Sequence, residues 1–183
     1  KETLLQEAIS KDACKRQVQR AKECQTWEEL KVVIIDNIRW LCDNKVKVPD
    51  DYYKTDEIKF TIVNGLLHGK YKIYHDNGQL WEDSHYVNGK LEGERELFHD
   101  NGQLWEHEQY INGLKQGECK AWHKDGQLCV HCFYKDGKLH DEYKKWYEDG
   151  QPMIHCFYKN GLLHGERKWY HRNGELLFHW TYK

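Results

Sequence analysis

Glycine placement constrains this chain more than any other feature. All fourteen glycines fall from Gly65 onward, and they keep one ruler. Gly65, Gly89, Gly113, Gly137 and Gly161 are spaced 24 residues apart, as are Gly78, Gly102, Gly126, Gly150 and Gly174. A third series, Gly69, Gly93, Gly117 and Gly165, shares the register, with Asp141 in the slot of the missing member. A fixed period of this size marks a stack of identical supersecondary units.

Ten of these glycines follow Asn or Asp or sit in the equivalent place, and such dipeptides favour φ > 0 at both central residues of a tight hairpin turn. Every copy contains two such turns. Between them run segments of five to seven residues rich in aromatic side chains, the length and composition of strands. The aromatic columns keep the same period: Tyr86, Tyr110, Tyr134, Tyr158 and Tyr182 form one, and Tyr74, Phe98, Trp122, Trp146 and Tyr170 another. The expected fold is mainly β, an elongated antiparallel hairpin array with a small α-helical hairpin cap at its N-terminal end. Two strand spacings of ~4.7 Å per copy would give five copies a length of roughly 50 Å.

Alternation places the Leu80 and Tyr86 columns on one face, read as the core. The face of Tyr74 depends on the loop at Asn77-Gly78: a two-residue turn pairs Tyr74 with Trp81, whereas a four-residue loop moves it across. The expected divisions are a helical segment 1–57, a half repeat 58–63, and repeats 64–87, 88–111, 112–135, 136–159 and 160–183. In the first segment Leu30, Ile34, Ile38 and Leu41 recur at helical spacing behind a capping box at Thr26, predicting a helix over about 26–43. An earlier helix over about 2–24 would bury Leu5, Ile9, Val18 and Ala21. Together they would cap the first edge of the sheet, with Pro49 closing helical territory.

Composition narrows the functional classes. Lys plus Arg is 28 and Asp plus Glu is 30, so no basic surface advertises nucleic-acid binding. The seven cysteines have no repeating disulfide spacing, which points to a reducing compartment. The histidine column His107, His131, His155 and His179 looks metal-like, but strand geometry spaces its members ~9.5 Å apart, too far to share an ion. Cys129 and Cys132 point to opposite strand faces, and Cys132 and Cys156 are too distant for a disulfide. The carboxylate pairs Glu94 with Glu96 and Glu106 with Glu108 read as a solvated charged face rather than an acid/base pair. Neither a phosphate-cradling glycine loop nor a hydrolase elbow around Ser10 or Ser84 is present. The expectation is therefore no enzyme, no cofactor and no metal.

Trp81, Trp105, Trp122, Trp146 and Trp169, with Tyr86, Tyr110, Tyr134 and Tyr158, are candidates for either packing or a partner-binding surface.

The recurring pattern Asn-Gly-x-Leu-x-Gly-Glu, an aromatic residue, then Asn-Gly-Gln-Leu resembles the MORN-repeat proteins, in the 24-residue variant of bacterial antitoxin-type repeat proteins. The blocks 131–140 and 155–161 resemble repeats amplified in giant DNA viruses of amoebae, of marseillevirus type. The resemblance implies a rolled or grooved β-sheet that acts as an adaptor or scaffold. The implied partner is a protein, in a viral setting a capsid or other virion component, and the implied place is the host cytoplasm or the virion. Two further readings carry over from the family: a module on a phospholipid membrane surface, which the near-neutral charge weakens, and an antitoxin-like neutraliser of a partner.

Overall fold

The computed structural model describes residues 15–24, 51–54 and 58–183, with Leu4, Gln6, Glu29, Leu30, Val33, Ile34, Ile38 and Leu41 placed singly in helical conformation. Helix α1 spans Lys15–Glu23. Strands follow at Asp51–Lys54 (β1), Ile58–Val63 (β2), Leu66–Leu67 (β3), Gly69–Tyr74 (β4), Leu80–Val87 (β5), Lys90–Phe98 (β6) and Leu104–Ile111 (β7). Then come Leu114–Lys115 (β8), Gly117–Trp122 (β9), Leu128–Lys135 (β10), Lys138–Trp146 (β11), Pro152–Lys159 (β12), Leu162–Tyr170 (β13) and Leu176–Tyr182 (β14). All belong to one antiparallel sheet in which successive strands pair in chain order, with β3 and β8 as short spurs. The sheet begins one strand earlier than periodicity predicts, since β1 lies within the stretch read as helical.

The two turns of each copy are built differently. At Asn64-Gly65, Asn88-Gly89, Asn112-Gly113, Asp136-Gly137 and Asn160-Gly161 both residues have positive φ, as expected. Their flanks pair directly, Val87 with Lys90 for example, so the loop has two residues. The second turn departs from expectation, because only its glycine adopts positive φ. Gly78 N–H donates to the His75 carbonyl at 2.8 Å, and His75 N–H donates to the Gln79 carbonyl at 2.8 Å. This is a three-residue loop closed by a glycine bulge. Its Asn or Asp serves through the side chain: Asn77 Oδ1 accepts from Gln79 N–H at 3.0 Å, and Asn101, Asp125, Asp149 and Asn173 repeat the bond. One residue type thus does two jobs in alternate turns.

That loop settles the register. Ile73 pairs with Glu82, but Tyr74 pairs with Leu80, leaving Trp81 as the extra residue of a bulge. Leu80 therefore lies opposite Tyr74, off the face of Glu82, Ser84 and Tyr86; assigning the Leu80 column to the core face by simple alternation fails because the bulge inserts one residue. A second irregularity occurs at the third glycine series. Pairing slips from Ser84 with Arg95 to Tyr86 with Leu91, and Gly93 in the slipped stretch has φ +81°. Asp141 occupies the same left-handed conformation at φ +63°.

Copies are tied to one another beyond the strand ladder. Gly89, Gly113, Gly137 and Gly161 N–H groups donate to carbonyls of the preceding copy at 2.8–2.9 Å. The His75 and His99 rings hydrogen-bond the carbonyls of Phe98 and Trp122, each at 3.0 Å.

The main apolar cluster joins Leu30, Ile34, Ile38, Leu41, Ala21 and Leu4 to Tyr53, Phe60, Ile62, Leu67 and Tyr71. Those four periodic positions are buried as the sequence predicts. The described helical residues pack with core-face side chains of the first strands, and β1 is the outermost of the described strands. Leu5, Ile9, Thr26 and Pro49 lie outside the described residues.

An L-residue in the left-handed region costs about 1–2 kcal/mol relative to right-handed conformations, somewhat less for Asp. Asp141→Gly should therefore stabilise the array by roughly 0.5–1 kcal/mol, and Gly93→Ala should destabilise it by about 1 kcal/mol, both read from urea unfolding midpoints at constant slope.

Candidate functional site

One cross-strand row runs the length of the core face. It begins with Tyr53 and Phe60, whose rings stack at 4.9 Å, and continues to Tyr71, 6.1 Å from Phe60. From Tyr71 the register leads to Ser84, Arg95 and Glu108, and on to Cys119, Cys132, Tyr143, Cys156, Arg167 and Trp180. The aromatic start lies beneath the helical residues. The middle is ionic, the next stretch carries thiols, and Trp180 in β14 is exposed.

In the ionic middle, Glu82 and Glu108 are both 1% exposed. Arg95 bridges them, with Nε donating to Glu82 at 2.9 Å and Nη1 to Glu108 at 3.0 Å. Tyr110 hydroxyl donates to Glu108 at 2.8 Å, and Lys115 forms an ion pair with the other Glu108 oxygen. Burial alone would raise the Glu108 carboxyl and lower the Arg95 guanidinium, yet the bonds from Lys115 and Tyr110, with Arg95, move Glu108 down, and Glu82 with Glu108 moves Arg95 up. Glu106 is pushed up by burial and by the negative charge of Glu108. The Glu106 and Glu108 pair is thus not a solvated face: both share the Tyr110 side of β7, which the strand period buries.

The outer face carries a different row: His107, Lys120, His131, Lys144, His155, Lys168 and His179 oppose one another in turn. Glu118 accepts from Lys120 at 2.7 Å and faces His131 at 2.8 Å; Glu142 makes the matching contacts with Lys144 and His155. The histidine column is therefore engaged by carboxylates of neighbouring strands. Glu94 in turn is exposed, as expected.

The aromatic candidates divide. Tyr110 is buried; Trp81, Trp122, Trp146, Trp169, Tyr86, Tyr134 and Tyr158 are half-buried; Trp105 is exposed. Trp81 and Trp105 lie against His75 and His99 at 6.3 and 5.8 Å. Sequence reasoning missed the β14 part of the core face, where Phe178 and Trp180 are each 44% exposed and stack at 4.7 Å. The Arg167 guanidinium lies 5.8 and 5.9 Å from the Trp169 and Trp180 rings. Their columns are visible only once the register is known.

Donor atoms of Glu106, Glu108 and Cys119 lie within 4.8 Å of one another, a spacing that could hold a metal ion. Arg95 and Lys115 already supply positive charge to Glu108, so a cation there would compete with two fixed ones. Among the described residues no helix is long and apolar enough to cross a membrane.

The profile of the MORN repeat variant matches residues 67–88, 91–112, 115–141, 142–160 and 163–183. The chain belongs to this family. MORN-type repeats mediate contacts with proteins or membrane lipids, and this array is an interaction module of that general kind. No curated protein matches the chain. Among solved structures, a crystal structure of a GtfA/B complex bound to UDP and GlcNAc is similar over 75% of this chain, at 14% identity and a TM-score of 0.24; the chain spans 25% of the length of that one.

Removing one partner of a buried ion pair costs about 3–5 kcal/mol, because the other charge is left unpaired. Arg95→Met should lose stability on this scale at pH 7. The folded-state carboxyl of Glu108 lies below its unfolded value, so its contribution is present above the unfolded value and vanishes as pH falls through the folded one. Unfolding of Glu108→Gln should accordingly depend less on pH between about 5 and 3 than the parent, in denaturant titrations across that range.

Proposed function

We propose that this MORN-type array is a non-enzymatic adaptor that seats a protein partner on the β13–β14 part of its core face. The supporting observation is the cluster of exposed Phe178 and Trp180 with half-buried Trp169 and Arg167, on the face that Leu30, Ile34, Ile38 and Leu41 of the chain itself cover over its first strands. Tryptophan and arginine dominate interface energetics, and an exposed apolar patch is normally an interaction site. The helical cover at one end indicates the chemistry that suits the other, an amphipathic helix with aliphatic residues on its inner side. Glu82 and Glu108 are held in fixed ion pairs with Arg95 and Lys115, in keeping with a binding role. Free Cys24, Cys119, Cys129, Cys132 and Cys156 fit a reducing cytoplasm.

The likeness of residues 131–140 and 155–161 to repeats of amoebal giant viruses adds a narrower reading, in which the partner is a capsid or other virion protein. Proteomics of purified particles would detect the chain in stoichiometric amount on that reading and would lack it otherwise.

Truncating an interface anchor typically costs about 2 kcal/mol or more, roughly 30-fold in affinity. Affinity purification should recover a stoichiometric protein with the parent and with Trp105→Ala, and lose it with the Phe178→Ala/Trp180→Ala double variant. Equal recovery by the double variant, or sedimentation with anionic vesicles in place of a protein partner, would rule out the proposed face.

A further inference from the structure

We propose that Cys119 and Cys132 form a cross-strand dithiol that hydrogen peroxide oxidises to a disulfide stapling β9 to β10. The two residues are direct partners in the β9–β10 register and both face the core side. Directly opposed residues of antiparallel strands have Cα atoms about 4.5–5.5 Å apart, inside the window for a disulfide of about 4.4–6.8 Å. Cys156 lies two strands further along the same row, with Tyr143 between. Cys129 occupies the bulge between Leu128 and Val130. The pairing is therefore selective among the described cysteines.

Either sulfur can attack and the other resolve, because the two face each other across the strand pair. In the first step the thiolate of one cysteine bonds to one peroxide oxygen, the O–O bond breaks, and hydroxide leaves and takes up a proton as water. The product is a sulfenic acid on that cysteine. In the second step the sulfur of the other cysteine attacks it, the S–S bond forms, the S–O bond breaks, and a second water leaves. Two thiols and one peroxide give one disulfide and two waters; the sulfurs lose two electrons and the peroxide oxygens gain them. With the thiols 5% and 2% exposed, a molecule as small as peroxide is the fitting oxidant.

The staple closes the loop around Gly126 and pins the junction between the ionic stretch and the strands that lead to β14. A closed loop of this size constrains the unfolded chain enough to raise the unfolding temperature by roughly 5–10 °C. The test is to expose the folded full chain to hydrogen peroxide, block remaining thiols by alkylation, and analyse it by mass spectrometry and thermal unfolding. The expected result is loss of two hydrogens, a peptide linking Cys119 to Cys132, the upward thermal shift, and reversal by dithiothreitol. Cys129→Ser should leave all of these unchanged, and Cys119→Ser should abolish the link.

Three results would overturn the proposal. They are an unlinked parent chain whose Cys119 and Cys132 stay reduced or overoxidise, a link made to Cys129 or Cys156 instead, and stoichiometric zinc in the purified parent that shields Cys119 until chelated. All three are measured on the parent chain, so they hold even where the serine variant fails to fold.

Discussion

The array depends on the backbone reversing direction at intervals that hydrogen-bonded strands can follow, and each reversal uses conformations that L-residues enter reluctantly. Glycine supplies most of them, and the fold exists because glycine recurs in phase. The two turns in each copy then diverge in mechanism. In one, Asn or Asp itself enters the left-handed region; in the other, its side chain accepts a backbone N–H and only the glycine is left-handed. The three-residue loop brings a bulge with it, and the bulge decides which side chains face inward. Turn chemistry thus sets the identity of the core, one level above where it acts.

A single sheet has no second layer to bury against, so its core face must be sheltered in other ways. At the first strands the chain's own helical residues cover it with aliphatic side chains. Farther along, residues of the central row such as Ser84, Cys132 and Cys156 are buried between flanking rows of larger side chains. The ionic stretch is a third solution. Glu82, Arg95, Glu108 and Lys115 each find partners of opposite sign, which limits the desolvation cost of burying charge. A slip of one residue would turn these groups to the other face and break every pair, so the network discriminates against wrong registers that repeated strands would otherwise tolerate.

Legibility in the sequence followed the range of the interactions. The glycine columns and their turns were readable because positive φ is a local demand, and Leu30, Ile34, Ile38 and Leu41 were readable because helical periodicity is local too. The inward position of Leu80 was misread because an Asx side chain in the three-residue loop cannot be told by composition from an Asx residue in a two-residue turn. Glu106 and Glu108 were misread as solvated because nothing near them in sequence announces Arg95, which reaches them only through the β6–β7 pairing. Strand β1 lacks any repeat partner in the sequence, and its pairing with β2 comes from Tyr53 stacking on Phe60 within the helix-covered cluster.

The same distinction supports the proposed placing of a partner at Arg167 and Trp180 instead of on the repeated columns. Columns repeated along the array, such as the turn glycines and the contacts of His75, His99 and Tyr147, are consumed in tying one copy to the next. Positions that break the pattern on the core face are where the copies differ chemically: Arg95 and Glu108 in one place, Cys119 and Cys132 in another, Arg167 and Trp180 in a third. Repetition builds a rigid support, and departures from repetition place distinct chemistry upon it. A partner that recognised the repeated features alone could dock in any of several registers, whereas the Arg167, Trp169 and Trp180 cluster gives it one position along the sheet.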